Sequence, residues 1–223
     1  KIIESMDADI IGVQEIVSTA DFDDFVNTIT GWEGAIIGQG NLNVGYLYKT
    51  AEISLNNELS TIYPDNSSAF PRAPVVGSFT HVSGYQFTLI NLHLKCCGGA
   101  TNESRRKEAS ELLKLHVDNN LPEEHVMIIG DFNDEIAESE EFNVFQNFID
   151  DELNYQFVDM EIAKGSERDF SYPSWPSHID HILITNEIFN KWQSSFTLNI
   201  DECFSKYSSQ ISDHRPVLAR FTT

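Results

Sequence analysis

The run Val126-Met127-Ile128-Ile129-Gly130-Asp131-Phe132-Asn133 decides how this chain is read. Successive apolar residues, rather than an apolar–polar alternation, predict a strand covered on both faces, as inside a layered α/β protein. The run then breaks into Gly-Asp-Phe-Asn, so charge arrives at the strand's C-terminal end. The same pattern occurs where Ile10-Ile11-Gly12-Val13 ends in Gln14-Glu15 and where Phe87-Thr88-Leu89-Ile90 ends in Asn91-Leu92-His93. It occurs twice in reverse: His178-Ile179-Asp180 precedes His181-Ile182-Leu183-Ile184, and Ser212-Asp213-His214 precedes Pro216-Val217-Leu218-Ala219. If the last two strands run antiparallel to the first three, all these polar groups meet at one edge of a mixed sheet. Side-chain alternation would put Asn91 with His93, and Asp131 with Asn133, on common faces.

Outward from these segments, Asn43–Tyr48 and Val75–Thr80 also read as strands. Helical spacing predicts three helices: one through Phe22, Phe25, Val26 and Ile29, closed by Gly31; one through Ala109, Leu112, Leu113, His116 and Val117, capped at Thr101 or Asn102 with Pro122 beyond it; and one through Phe142, Phe145, Phe148 and Ile149. Asn56–Pro74 and Lys164–Ser177 carry turn residues and read as surface loops. No repeat or linker divides the chain, so one domain over residues 1–223 is expected.

The 223 residues suffice for one large core, and 41% hydrophobic and 11% aromatic content fit a folded chain. No run approaches the ~18 apolar residues of a membrane span, and the opening residues show no targeting segment. Lys+Arg number 14 against 35 Asp+Glu, a net charge of −21. Such a field repels polyanions at long range, and much of it reads as a solvated surface of the kind secreted or salt-adapted proteins carry. Of the three cysteines, Cys96 and Cys97 are adjacent and Cys203 is remote. A disulfide from either to Cys203 is one reading, an ordinary loop another, and no spacing here suits a structural zinc. Acidity and cysteine usage together point to an extracellular or periplasmic setting.

The expected cluster holds Glu15, Asp131, Asp180, Asp213, Asn91, Asn133, His93 and His214. It is rich in oxygen donors, which suit Mg²⁺ or Mn²⁺, with Ca²⁺ admissible. Histidines beside such an ion suit proton transfer or charge stabilisation, and the combination points to phosphoester hydrolysis. A cation would also bring local positive potential to an otherwise repelling surface. The loop Ser171-Tyr172-Pro173-Ser174-Trp175-Pro176-Ser177 could place Tyr172 or Trp175 against a base or sugar, or simply pack. His178 and His181 read as surface or satisfied core groups, because a zinc-hydrolase reading lacks the further ligands.

At these residues the chain resembles the endonuclease/exonuclease/phosphatase family. The matching strings are Ala8–Glu15, Asn91–Leu94, Gly130–Asn133, Ile179–Leu183 and Ser212–Val217, in the family's order, with Gly45–Tyr48 and Arg72–Pro74 as further likenesses. The resemblance implies a four-layered α/β sandwich: two packed mixed β-sheets flanked by helices. It implies Glu15 and Asp213 as metal ligands and Asp131 as the group orienting or deprotonating water. Asn133 would hold phosphate or a metal-bound oxygen, and His214, paired with Asp180, would serve as base or transition-state stabiliser. His93 would contact phosphate or protonate the leaving oxygen, and Arg72 would brace the site or touch a phosphate. Beside what the resemblance implies, Asn91 and Tyr172 are read as further substrate contacts. The family's opening strand, whose Asn helps bind metal, has no counterpart before Gln14-Glu15, so an inner strand position is expected to be empty.

Three functions follow. The first is a divalent-metal nuclease acting on DNA as a monomer. The second keeps the site but acts on small sugar, inositol or lipid head-group phosphates, which the acidic surface favours. The third is a non-catalytic binding module on the same fold.

Overall fold

The computed structural model describes residues 2–222; Lys1 and Thr223, the ends of the expected 1–223 domain, lie outside the described residues. Among the described residues twelve strands are present: β1 (Ile10–Ile16), β2 (Trp32–Ile37), β3 (Asn43–Lys49), β4 (Ile53–Leu55), β5 (Ser60–Thr61), β6 (Val75–His81), β7 (Gln86–His93), β8 (Val126–Asp131), β9 (Tyr155–Phe157), β10 (Asp180–Thr185), β11 (Trp192–Thr197) and β12 (Val217–Phe221). Every strand expected from the sequence is among them.

They form a three-stranded sheet ordered β1-β3-β2, a seven-stranded sheet ordered β4-β6-β7-β8-β10-β9 with β5 on β6, and a β11-β12 pair. The large sheet is mixed: β7 and β8 run parallel, and β10 is antiparallel to β8. The reversal inferred from charge placement is therefore the observed topology for β10.

Each strand's alternation sorts its residues into layers. Val44, Tyr46 and Tyr48 of β3 pack against Val75, Phe79, Phe87 and Leu89, with Met127 and Ile129 alongside, forming the core between the sheets. Ile90, Leu92, Val126, Ile128 and Leu183 face the other way, onto Ala109, Leu113 and Val117 of the long helix Ala100–Asn120. Phe22, from the helix Thr19–Val26, covers Trp32 and Leu47 on the outer face of the small sheet. Helix, sheet, sheet, helix is the four-layered arrangement. The close approach of the sheets depends on Gly12, where a Cβ would lie 2.6 Å from Ile129 Cδ1 and 3.0 Å from the Asn91 amide nitrogen.

Three expectations are corrected. The long helix begins after Gly99, whose φ is 101°, with no side-chain cap, so Thr101 and Asn102 lie within its first turn. The Phe142–Ile149 pattern yields only the short helix Gln146–Ile149, and Phe142 is 66% exposed. The Asn56–Pro74 segment is not purely superficial: Ala69 and Phe70 belong to the core under the long helix.

Among the described residues β1 pairs only with β3, and β12 only with β11. A cleft of 730 Å³ separates these two strands, lined by Ile11 and Val13 on one side, Leu218 and Ala219 on the other, and reaching Asp180 and His214. Among the described residues no helix is long and apolar enough to cross a membrane.

Candidate active site

Three neighbouring strands deliver three side chains in one row. His93 is in register with Asp131 across β7–β8, and Asp131 with Asp180 across β8–β10. By parity they lie on the sheet face that carries Leu89, Ile129 and Ile182, at the end where it leaves the apolar interior. His93 Nε2 lies 3.4 Å from Asp131 Oδ2 and 3.6 Å from Glu15 Oε1. Asp180 Oδ2 accepts a hydrogen bond from His214 Nδ1 at 2.7 Å.

Glu15 joins the row through backbone distortion. The β1–β3 register shifts between Val13 and Ile16, and Glu15 sits at φ 59°, a left-handed conformation costly for a glutamate. Asn133 is also left-handed, at φ 55°. Its backbone N–H donates to Asp131 Oδ1 at 2.8 Å and its amide nitrogen donates to Asp131 Oδ2 at 2.8 Å and to the Leu94 carbonyl at 3.3 Å. Strand alternation is therefore the wrong reason for pairing these residues: β8 stops at Asp131 and a turn brings Asn133 back. Asn133 braces Asp131 and offers the site only its carbonyl oxygen.

Asn91 is corrected as a substrate contact. It is wholly buried, donating from its amide to the Gly45 carbonyl at 2.7 Å and the Val13 carbonyl at 3.3 Å, and accepting from Gln14 Nε2 at 2.7 Å. Its function is to tie β7 to the opposite sheet just behind Glu15. Tyr172 does reach the site, its ring 4.9 Å from that of His214. The Tyr172–Ser177 bridge closes a loop that holds Trp175 76% exposed. Asp213 is exposed immediately before His214, and the Arg72 guanidinium faces Glu15, Asp131 and Cys96, with its Nε buried and unpartnered.

Several positioning groups carry no sequence signal of their own. The Ser171 hydroxyl accepts the backbone N–H groups of Ile179 and Asp180, both at 3.1 Å, fixing the start of β10. Tyr207 donates to the His214 carbonyl at 3.0 Å, and buried Arg215 grips Asp201 with two bonds of 2.6 Å. Each ties another segment to the one that carries a site residue, a relation that motif spacing does not reveal.

A sequence profile described as the Endonuclease/Exonuclease/phosphatase family matches residues 1–214. The chain belongs to the endonuclease/exonuclease/phosphatase family. No curated protein shows a significant match. Solved structures do: the catalytic domain of human nocturnin with bound sulfate (19% identity, TM-score 0.72, covering 99% of this chain and 83% of that one); a mannosyl-6-phosphatase from Bacteroides thetaiotaomicron (18%, 0.72, 100% and 88%); and a 3′ phosphatase from Neisseria bound to a product DNA hairpin (17%, 0.72, 100% and 92%). At these identities the likeness establishes the fold. Family membership makes the chain a phosphoesterase, and the non-catalytic reading falls away.

The electrostatics of this family site are specific. Burial works against charge on His214, but the hydrogen bond and charge of Asp180, reinforced by Asp131 and Asp213, raise its pKa to about 9. Burial, with the charge of Asp180, pushes Asp131 up to about 7, against the pull of His214. His93 is pushed down to about 3 by burial and by the neighbouring Arg72 and His214 cations, which outweigh the opposing charge of Asp180. Near neutrality the site thus holds an imidazolium at His214, a neutral imidazole at His93 and a carboxyl poised to titrate at Asp131. Four acids face few cations, and the donors are oxygens. This is a donor set that fits a hard divalent ion.

A second polar cluster does not belong to this site. Asp159, His178 and His181 are buried together. His178 Nε2 and His181 Nδ1 donate to Asp159 Oδ2 at 2.9 and 2.6 Å, and the Ile182 N–H donates to Oδ1 at 3.0 Å. The remaining nitrogens are engaged too: the Ser171 N–H donates to His178 Nδ1 at 3.3 Å, and His181 Nε2 donates to the Asp134 carbonyl at 3.0 Å. With both His181 nitrogens donating, the ring is an imidazolium balanced by Asp159. Every ligand atom is used, so the cluster is a structural ion pair that agrees with the core reading of both histidines.

A disulfide to Cys203, one of the two readings of the cysteines, is not formed: Cys96, Cys97 and Cys203 are all free thiols.

Proposed function

We propose that this phosphoesterase hydrolyses phosphodiester bonds in DNA, with Mg²⁺ or Mn²⁺ bound at Glu15 and Asp213. A divalent ion there would supply the positive charge that the acidic site lacks. Asp131, braced by Asn133, takes the proton of the attacking water once ionised. His214, held by Asp180, places a cation against the charge developing on the phosphoryl group. His93 donates a hydrogen bond as a neutral ring, and the inward Nε–H of Arg72 is available to a phosphate oxygen. The low His93 pKa argues against its protonating the leaving oxygen.

The observation that carries the nucleic-acid reading is Trp175, 76% exposed on the loop whose Tyr172 packs against His214. An exposed indole on a loop anchored at the site offers a stacking surface for a base. The net charge of −21 favours the second reading, small sugar, inositol or lipid head-group phosphates, because it opposes a long polyanion.

A substrate panel separates them. With Mn²⁺ or Mg²⁺, plasmid and single-stranded DNA are expected to be cleaved, and EDTA abolishes cleavage. Trp175→Ala is expected to raise the DNA KM about fivefold, roughly 1 kcal/mol of stacking, while bis-p-nitrophenyl phosphate is unaffected. Turnover of hexose phosphates with a kcat/KM above that for DNA, together with a silent Trp175→Ala, would replace this reading with the second.

A further inference from the structure

The loop that leaves the active site after His93 runs Lys95-Cys96-Cys97-Gly98-Gly99, and hydrolysis gives its two thiols no task. Side chains of consecutive extended residues point to opposite faces. Here they do not: Cys97 is left-handed, at φ 75°, and its Sγ lies 2.8 Å from that of Cys96. The conformation is pinned from below. Buried Arg106 donates from Nη1 to the carbonyls of Lys95 at 2.8 Å and Cys97 at 3.0 Å, one on each side of Cys96. Arg106 is itself anchored, its Nε donating to Asp134 Oδ2 at 2.7 Å. A buried arginine thus holds the backbone in a shape that presents both sulfurs together. Cys97 is exposed and Cys96 partly so, which leaves the pair open to a reagent from solvent. Lys95 Nζ stands 3.5 Å from Cys96 Sγ, and Arg72 acts on it electrostatically from the active-site side.

We infer that Cys96 and Cys97 form a redox-active vicinal dithiol at the rim of the phosphoesterase site, oxidised reversibly to a Cys96–Cys97 disulfide by low-molecular-weight disulfides. The contact with Cys97 Sγ, followed by the Lys95 and Arg72 cations, favours the Cys96 thiolate, which makes it the attacking sulfur. It displaces one thiol from the oxidant and leaves a mixed disulfide on Cys96. Cys97 then attacks the Cys96 sulfur, closing the ring and releasing the second thiol. The pair gives up two electrons, the oxidant takes them, and both cysteine protons leave on the released thiols. The sulfurs need to close only from 2.8 Å to the ~2.05 Å of a bond. Cys203 contacts neither and takes no part.

The test uses the whole native protein in excess oxidised glutathione, followed by alkylation, intact mass and peptide mapping. The expected result is loss of two of the three thiols together, a mass lower by two hydrogens, no retained glutathione, and Cys203 alone alkylated. Dithiothreitol restores all three. Cys97→Ser is expected to trap glutathione on Cys96, and Cys203→Ser to behave as wild type. A stable glutathione adduct on the wild-type pair, a cross-link to Cys203, or a pair that stays fully reduced overturns the inference.

Discussion

Replacing His214 with alanine lowers kcat on a phosphodiester by about a thousandfold, close to 4 kcal/mol of transition-state stabilisation, while urea unfolding stays near wild type. The size follows from the state of the ring. Asp180 at 2.7 Å raises the His214 pKa to about 9 against the effect of burial, so near neutrality alanine removes a fixed cation rather than a neutral donor. KM is expected to change much less than kcat, because charge on the phosphoryl oxygens is greatest in the transition state. Steady-state kinetics on bis-p-nitrophenyl phosphate in Mn²⁺ reads both constants. A variant within threefold of wild type in kcat would remove His214 from the reaction.

The second large effect lies outside the chemistry. Asp159→Ala is expected to destabilise the fold by about 3–5 kcal/mol, the usual cost of removing one member of a buried charged pair. It strips partners from His178, His181 and the Ile182 N–H at once, and leaves the His181 imidazolium buried without its counter-ion. Urea denaturation measures the loss; a value under 1 kcal/mol would show that the network is dispensable. The pH dependence has a definite sign. Burial would raise the Asp159 pKa, but the two histidines hold it well below the ordinary range. That contribution is present above the unfolded carboxyl pKa of ~3.9 and is lost as pH falls through the depressed folded value. Burial would lower the His181 pKa, but Asp159 raises it. Its contribution is complete below the unfolded value of ~6.5 and is lost as pH rises through the elevated one. Wild type is therefore expected to gain most from the cluster between these limits, and Asp159→Ala to flatten that part of the profile.

What the sequence revealed and what it hid divide along physical lines. Strands β1, β3, β6, β7, β8, β10 and β12 were legible because each carries a short run rich in apolar residues, and in β7 that run is covered on both faces. β2 was not, because Glu33 and Gly34 interrupt it, and β11 was not, because Gln193-Ser194-Ser195 reads as surface. Phe142 fits a helical period yet lies exposed, since spacing alone cannot say which stripe finds a partner. At the site, the row His93–Asp131–Asp180 follows from strand ends and direction alone. The bracing groups were invisible, because Ser171, Tyr207 and Arg106 act through backbone atoms that no motif encodes. Asn91 misled in the opposite direction: its place beside His93 suggested substrate, whereas its burial makes it a tie between sheets. Asp159 looks like a surface acid in sequence because its partners lie 19 and 22 residues away.

The central claim is that Asp131 and His214 share one site in opposite charge states, with Asp180 maintaining the second. The pH profile of kcat/KM on bis-p-nitrophenyl phosphate, for wild type and Asp180→Asn, tests it most directly. Wild type should rise as Asp131 ionises near 7 and fall as His214 loses its proton near 9. In Asp180→Asn the falling limb should move down towards the ordinary histidine value, and the rising limb should move down with it, because the Asp180 charge also holds the Asp131 pKa up. An alkaline limb that stays near 9 in Asp180→Asn would contradict the account.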